Sequence, residues 1–507
     1  MILSKKKCSL AFIPFWWCVA STALIAADTA EHHDHPVPEK LGAVTFATSC
    51  RPDTQKKFER AVALLHSFAY SATEKAFRDV IAADPKCAMA YWGLAMSYVH
   101  PLWEPHIAAQ DVATGQKALQ EAKRLGGSER ERGFISALDQ LYANAESTPY
   151  AKRAEAYTAA MAKLAEQNPQ DVECQVFYAL ALLGISSPSD KTHANDKKAA
   201  DLLEPLFKKL PEHPGVAHYL IHACDNAEMA RRGVGAARLY AQIAPSAPHA
   251  LHMPSHIHTR LGMWEDSIAS NQAARKAARN EGDVGEELHA MDYLTYAYLQ
   301  LGREEDAAQV VKDLGSMTDL HAAEFKVGFA ASAMPVRYAI ERQKWDDATR
   351  LEPIPGTQPH VIALTVWARA IGFARSGNAA AARQELPKME EAYSKLKSTG
   401  EDYWAHQVKV QITEAEAWIA QAEGKSDEAV KLMRKAADDE DAVEKRPVTP
   451  GPVVPAREQL GELLLQLKQP QEAAKEFEAA LKMSPHRRGA VQGKARAHEL
   501  LASAKNQ

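Results

Sequence analysis

The apolar residues of this chain recur three or four positions apart, which is the spacing of one face of an α-helix. From Thr54 to the C-terminus Ala and Leu dominate these faces, and the alternation typical of β-strands is scarce. The clearest unit places Gly461 on one helical face and Phe477 on the next, and Pro485 follows. This pattern predicts an all-α chain built from pairs of short helices.

Similar pairs occur in residues 51–100 and throughout residues 151–487, and several of them are degenerate. The spacing resembles the tetratricopeptide repeat (TPR) superfamily, whose unit has about 34 residues. The resemblance implies a right-handed α-solenoid with a concave groove. Residues 101–150 do not keep the spacing and are predicted to be inserted helices, whereas residues 488–507 are predicted to form a polar capping helix.

The N-terminus has the layout of a secretory signal peptide. Three lysines at 5–7 precede an apolar run over 10–27 that ends in small residues. We therefore expect an exported protein, periplasmic or secreted, with a signal peptide at 1–27; the alternative is an uncleaved N-terminal anchor. Residues 28–50 are predicted to be a flexible linker, with His32, His33, Asp34 and His35 near its start.

Composition and charge limit the range of functions. The 507 residues exceed the size of a single compact core, which agrees with a repeat array. The net charge of -5 gives no basic excess, so we expect no nucleic-acid partner. No membrane insertion is expected beyond the N-terminal signal. The section from Ala217 to Trp264 also resembles poorly characterised exported bacterial TPR-domain proteins, and that resemblance implies fold and export without a reaction.

Four cysteines remain once the signal peptide is removed. Each of Cys50 and Cys87 precedes the first helix of one of two consecutive repeats, so their helix starts would be neighbours in the array. An oxidising compartment would then allow a disulfide between them. The alternative is that all four cysteines are buried small hydrophobic residues.

Histidines are concentrated in three consecutive central repeats. In TPR proteins the first helix of each pair lines the groove, so the resemblance implies that these histidines face it. His218, His222 and Asp225 lie at i, i+4 and i+7, while His249, His252 and His256 lie at i, i+3 and i+7. The next repeat adds His289, Asp292 and Tyr296. Further groove candidates are His66, Trp92, His100, Trp103, His106 and Arg337.

Such helical faces can chelate a transition metal ion. Imidazoles one turn apart suit Zn, Fe, Cu or Ni, and neighbouring helices could supply the remaining ligands. The predicted ligands are His218, His222, His252, His256, His289 and Asp292. A ladder of structural hydrogen bonds between helices is the competing interpretation. If these histidines are buried together, their pKa values should be depressed, because adjacent imidazoliums repel.

Two hypotheses about function follow. The first is a binding scaffold that holds a peptide or protein partner in its concave groove, with His66, Trp92, His100, Asp225, His249, Tyr296 and Arg337 as contacts. The second is a metal-binding protein or metal-dependent enzyme that performs hydrolytic or redox chemistry at the central cluster, with Tyr296 or His66 as a proton donor. The sequence alone does not decide whether the protein is an enzyme.

Overall fold

The computed structural model describes residues 39–102, 107–318 and 320–505. The signal peptide, the histidines at 32, 33 and 35, and the candidates Trp103 and His106 lie outside the described residues. Every helix given below belongs to one compact unit, Lys40–Gln507.

The described residues form α-helices and one short 3-10 turn, without a strand. The first helices are α1 (Gln55–His66), α2 (Tyr70–Ala83), α3 (Ala88–Met96), α4 (Ala109–Leu125), α5 (Glu129–Tyr142), α6 (Tyr150–Gln167), α7 (Val172–Gly184) and α8 (Ala194–Lys209). The central helices are α9 (Pro214–Ala223), α10 (Ala230–Ile243), α11 (Pro248–His252), α12 (Pro254–Arg260), α13 (Trp264–Glu281), α14 (Val284–Gln300), α15 (Glu304–Gly315) and α16 (Phe325–Glu341). The last are α17 (Trp345–Thr349), α18 (Pro359–Arg375), α19 (Ala379–Ser398), α20 (Asp402–Ala422), α21 (Ser426–Asp441), α22 (Ala456–Gln466), α23 (Pro470–Met483) and α24 (Arg488–Lys505).

Successive helices pack in pairs where a small residue faces a large one. A Cβ added to Gly93 on α3 would lie 2.2 Å from the Phe77 ring on α2, and one added to Gly461 on α22 would lie 2.8 Å from the Phe477 ring on α23. The same close approach of helices therefore occurs near opposite ends of the array, between consecutive pairs at α2 and α3 and within a pair at α22 and α23. The prediction of an all-α chain built from pairs of helices is confirmed for the described residues.

Two segments differ from the expectations drawn from spacing. Within residues 101–150, α4 packs against α3 and α5 packs against α6, so the pairwise order continues through the stretch expected to hold inserted helices. Residues 40–50 are not a flexible linker, because Phe46 is fully buried against Phe58, Trp92 and Phe134. The removal of the Phe46 ring from water stabilises this position of the segment.

A disulfide joins Cys50 to Cys87, with their Cα atoms 4.6 Å apart. This places the start of the first helix pair beside the start of the second, as consecutive stacked repeats require. Cys174 and Cys224 are buried free thiols. Among the described helices, none is both long and apolar enough to cross a bilayer.

The segment between α21 and α22, residues 442–455, lies against the central repeats; we call it the strap. Its contacts reach far along the chain. Lys445 pairs with Asp225, the Tyr293 hydroxyl donates to the carbonyl of Pro447, and Arg337 donates to the carbonyl of Gly451. The strap, which contains Pro447, Pro450, Pro452 and Pro455, thus covers residues that follow α9 or lie on α14 and α16.

Candidate metal centre

Six buried histidines meet where α9, α11, α12 and α14 pack together. Their ring nitrogens fall into two groups, and within each group one nitrogen per residue lies within 4.8 Å of the others. The groups are His218 with His222 and His249, and His252 with His256 and His289. The first group combines α9 with α11, and the second combines α11, α12 and α14.

Local sequence sets the orientation of these rings. On α9, His218 and His222 are one turn apart and therefore share a face. Pro254 begins α12 directly after α11, at a position where its missing N–H costs nothing. The joint at Met253 keeps His252 and His256 one turn apart, so the proline does not break the predicted pairing.

The outer nitrogens of the second group have acceptors that fix their protonation. The Nδ1 of His252 lies 2.6 Å from Oδ1 of Asn271, whose Nδ2 donates to the Ser267 carbonyl. Because Nδ2 of Asn271 is bonded to Ser267, Oδ1 of Asn271 faces His252. This oxygen can only accept, so His252 donates from Nδ1. The Nδ1 of His256 lies 2.9 Å from the Asp225 carboxylate, which can only accept.

Both residues therefore carry the Nδ1–H tautomer when they are neutral. Their Nε2 atoms face each other at 3.0 Å, so two lone pairs point at one another. A cation between the nitrogens removes this repulsion. Two imidazole nitrogens each about 2.0–2.1 Å from one ion lie about 2.9–3.4 Å apart for bond angles between a right angle and the tetrahedral angle, so the observed separation fits a shared metal ion.

A shared proton is the competing cation, and burial acts against it. Burial lowers the pKa of His252 well below its usual value, with neighbouring His289 and His256 adding to the effect. Burial also lowers the pKa of His256, although Asp225 partly opposes that shift. Both rings are therefore neutral near pH 7, as expected for buried imidazoles close together.

The first group has a different hydrogen-bond pattern. The Nδ1–H of His218 donates to the carbonyl of His66 at 2.6 Å, which leaves a lone pair on its Nε2. The Nε2 of His222 lies 3.1 Å away and can donate to it, because Nδ1 of His222 has no hydrogen-bond partner and can carry the lone pair. The contact between the two Nε2 atoms can therefore be a hydrogen bond, without an ion between them. Burial lowers the pKa of His218 and of His222 well below the usual value.

Asp225 connects the second group to cationic residues. Its carboxylate accepts from His256, from Arg260 at 2.9 Å and from Lys445 of the strap at 3.0 Å. Burial raises the pKa of Asp225, but Lys445, Arg260 and His256 outweigh it and hold the pKa well below 3.8. An ionised carboxylate behind a ligand imidazole is the usual outer support of metal-binding histidines.

A cavity of about 130 Å³ reaches this region from the side of α7 and α8. Its lining includes His222, Asp225 and Lys445, together with Pro101 and His193. The cavity gives small molecules a path to the edge of the first histidine group. It also places that edge beside the strap.

Several predicted groove residues lie elsewhere or serve the fold. Asp292 is not brought to the histidines, because its carboxylate accepts from Arg337 Nε at 2.8 Å. The Tyr296 hydroxyl accepts from Arg487 at 3.0 Å, so it does not face the cluster as a proton donor. Trp92 is buried among Phe134 and Phe177. An aromatic core at that position overrides the groove register expected for its helix.

The remaining candidates have partners within the protein. The His100 ring packs against Tyr70, with ring centroids 3.9 Å apart and the planes tilted by 34°. His249 lies with His218 and His222, and its Nδ1 is 3.3 Å from Glu286. His66 lies apart from the six central histidines; its Nε2 contacts Glu173 at 2.9 Å and its Nδ1 contacts the Tyr219 hydroxyl.

Sequence reasoning missed four residues around the histidines: Asn271, Tyr293, Glu286 and Lys445. Tyr293 follows His289 by one turn and packs edge-on against His252 at 4.7 Å, so helical spacing could have identified it. Glu286 precedes His289 by three positions and could have been found in the same way. Asn271 and Lys445 carry no local signal, because their partners are distant in the chain.

No known family model matches this sequence, and no curated protein matches it. Among solved structures, yeast Tom70 shares 12% identity at a TM-score of 0.39, over 88% of this chain and 88% of that one. The human IFIT1 dimer with m7Gppp-AAAA shares 12% identity at a TM-score of 0.38, over 82% and 90%. The TPR domain of P58(IPK) shares 14% identity at a TM-score of 0.22, over 90% of this chain and 100% of that one. Likenesses this low assign no function to this chain.

Proposed function

We propose that this protein binds a transition metal ion through His252, His256 and His289. The observation that carries the proposal is the opposition of two Nε2 lone pairs at 3.0 Å, with both Nδ1 atoms committed to acceptors. Imidazole ligands suit Zn, Fe, Cu or Ni. The His289 ring, with its centroid 4.3 Å from that of His252, supplies the third ligand.

Three protein ligands leave a coordination position for water or substrate, which is the pattern of catalytic rather than structural zinc sites. Metal-dependent hydrolysis or redox chemistry is therefore the activity that the site supports best. In such a reaction the chain's own residues would orient the ligands: Asn271 and Asp225 hold the rings, and Lys445 with Arg260 keeps Asp225 ionised.

The test is metal content after the protein has been stripped with a chelator and reconstituted separately with each of the four metals. We expect about one equivalent in the wild type by elemental analysis. In His252→Asn plus His256→Asn, the asparagine Nδ2 replaces the outer Nδ1 donor and the inner ligand nitrogen is lost. This double variant should retain less than a tenth of an equivalent.

His213→Asn is the matched control. His213 Nδ1 accepts from the Val216 N–H at the start of α9, and asparagine is also a favoured residue at that position. This variant should keep its metal. Less than a tenth of an equivalent in the reconstituted wild type, or equal loss in both variants, would sink the metal proposal.

A peptide or protein partner in the concave groove remains the second candidate. The strap already contacts Asp225, Tyr293 and Arg337, so a partner would have to bind elsewhere along the groove or displace the strap. We also propose export, which the disulfide between Cys50 and Cys87 supports, because disulfides persist in oxidising compartments. N-terminal sequencing of the protein recovered outside the cytoplasm tests this and should begin near residue 28.

A further inference from the structure

A second cavity, of about 140 Å³, lies between the strap and helices α16, α18, α20 and α21. One wall is aromatic and comprises Phe329, His360 and Trp404. His360 stacks on Trp404 with ring centroids 4.0 Å apart and an angle of 11° between the planes. A cavity of about 150 Å³ with apolar walls holds a molecule the size of benzene. The space therefore suits one ring.

The cavity also has polar atoms that lack partners. His360 is 7% exposed, and its Nε2 has no hydrogen-bond partner. The Oε1 of Gln411, which also lines the cavity, lacks one as well. Buried polar atoms are almost always hydrogen-bonded, so two of them on one cavity point to a ligand that supplies the missing bonds.

The basic residues that line the cavity have acidic partners within the protein, and burial raises the pKa of Glu440, which also lines it, to about 7 and so favours its neutral form. Arg337 pairs with Asp292, Arg260 with Asp225, and Lys191 with Glu444. Burial lowers the pKa of His360 to about 3, so its ring is neutral. A charged ligand would enter this space without a free counter-ion, and its burial would be unfavourable.

We propose that this cavity binds a small uncharged molecule consisting of one ring with a hydroxyl group. The ring lies against Phe329 and Trp404. The hydroxyl pairs with His360 Nε2 or Gln411 Oε1, and because a hydroxyl both donates and accepts, it satisfies either tautomer of His360. The site does not depend on the metal centre, since neither His360 nor Gln411 contacts the six central histidines.

Phenol is the probe, and toluene is its counterpart without the hydroxyl group. Calorimetric titration of the full-length protein should give one saturable site for phenol, with toluene at least tenfold weaker. His360→Phe keeps a ring on Trp404 and removes the nitrogen, so it should weaken phenol binding at least tenfold and leave toluene unchanged. Gln411→Leu is the second variant for the same measurement.

Two further variants serve as controls, one that should abolish binding and one that should leave it unchanged. Leu364→Trp places a large side chain into the cavity wall and should abolish binding of both probes. His321→Phe changes an exposed histidine and should alter neither. Circular dichroism verifies that each variant is folded. The proposal is overturned if the wild type shows no saturable phenol binding up to its solubility, or if every folded cavity variant binds phenol as the wild type does.

Discussion

Three groups of buried histidines among the described residues meet the same distance criterion for a metal site, and two of them differ clearly in their hydrogen bonds. In the cluster of His66, Glu173 and His213, Tyr219 and the Val216 N–H supply donors to the two Nδ1 atoms. Each Nε2–H can then donate to its own oxygen of Glu173, at 2.9 and 3.0 Å. In the pair of His252 and His256, both Nδ1 atoms donate outward and both Nε2 lone pairs face inward.

The difference shows that proximity of ligand atoms alone does not identify a metal site. A carboxylate between two imidazole N–H groups completes the first cluster. Gly215 leaves space for the His66 ring, because a Cβ at that position would lie 2.5 Å from His66 Nδ1. The second leaves two Nε2 lone pairs facing each other at 3.0 Å, which is the observation on which the proposed metal site rests. A count of hydrogen-bond donors and acceptors therefore distinguishes a cluster whose side chains satisfy one another from a cluster whose side chains do not.

Removal of Glu173 should have the largest effect, and it should be on stability alone. Glu173→Ala leaves two buried N–H groups without acceptors, at about 1–3 kcal/mol each, which is expected to lower the free energy of unfolding by about 2–6 kcal/mol. Urea denaturation measures the loss. Glu166→Ala, at an exposed site on α6, should change stability by less than about 0.5 kcal/mol. Metal content should stay at the wild-type level; its loss would mean that the two clusters are one site.

The same carboxylate predicts how stability depends on pH. Burial raises the pKa of Glu173, but His66 and His213 outweigh it and lower the pKa to about 2, from an ordinary value of 4.5. Because the folded pKa is the lower one, the stabilisation is present above pH 4.5 and is lost as the pH falls toward 2. It amounts to about 3 kcal/mol.

Comparison of the wild type with Glu173→Gln isolates this contribution from other acid effects. The difference in unfolding free energy should be constant from pH 7 to 5 and shrink by about 2 kcal/mol between pH 4.5 and 3. A difference that does not change with pH would show that Glu173 titrates normally in the folded protein.

How far the sequence predicts these clusters depends on where the partners lie. Helical spacing correctly places His218 with His222 and His252 with His256, because each pair is set by one turn of helix. It does not pair Asp292 with Arg337, which lies on another helix, and it does not find Glu173 beside His66, 107 positions away. Small residues such as Gly461 indicate in the sequence where two helices pack. The tautomers of the histidines, in contrast, depend on contacts with residues far along the chain, which helical spacing does not reveal.

Weakening the outer support of one ligand should have a smaller effect than losing the ligand. Asn271→Leu removes the acceptor that orients His252, and such changes cost about tenfold to a hundredfold in metal affinity. Competition with a chromogenic chelator measures the affinity. Asn280→Leu, at an exposed site on the same helix, is the matched control and should leave it unchanged. Equal affinities in the wild type and Asn271→Leu would argue against His252 as a ligand.

The smallest effect is also the most direct test of the opposed lone pairs, and it uses metal-free protein. His252→Asn and His213→Asn remove the same number of ring atoms from buried sites, and each keeps the hydrogen bond made by Nδ1. His213→Asn loses the donor to Glu173, whereas His252→Asn loses only a repulsive contact. The unfolding free energy of His252→Asn should therefore exceed that of His213→Asn by about 1 kcal/mol or more. Equal values would mean that His252 and His256 share a proton, and the physical reason for placing a metal ion between them would disappear.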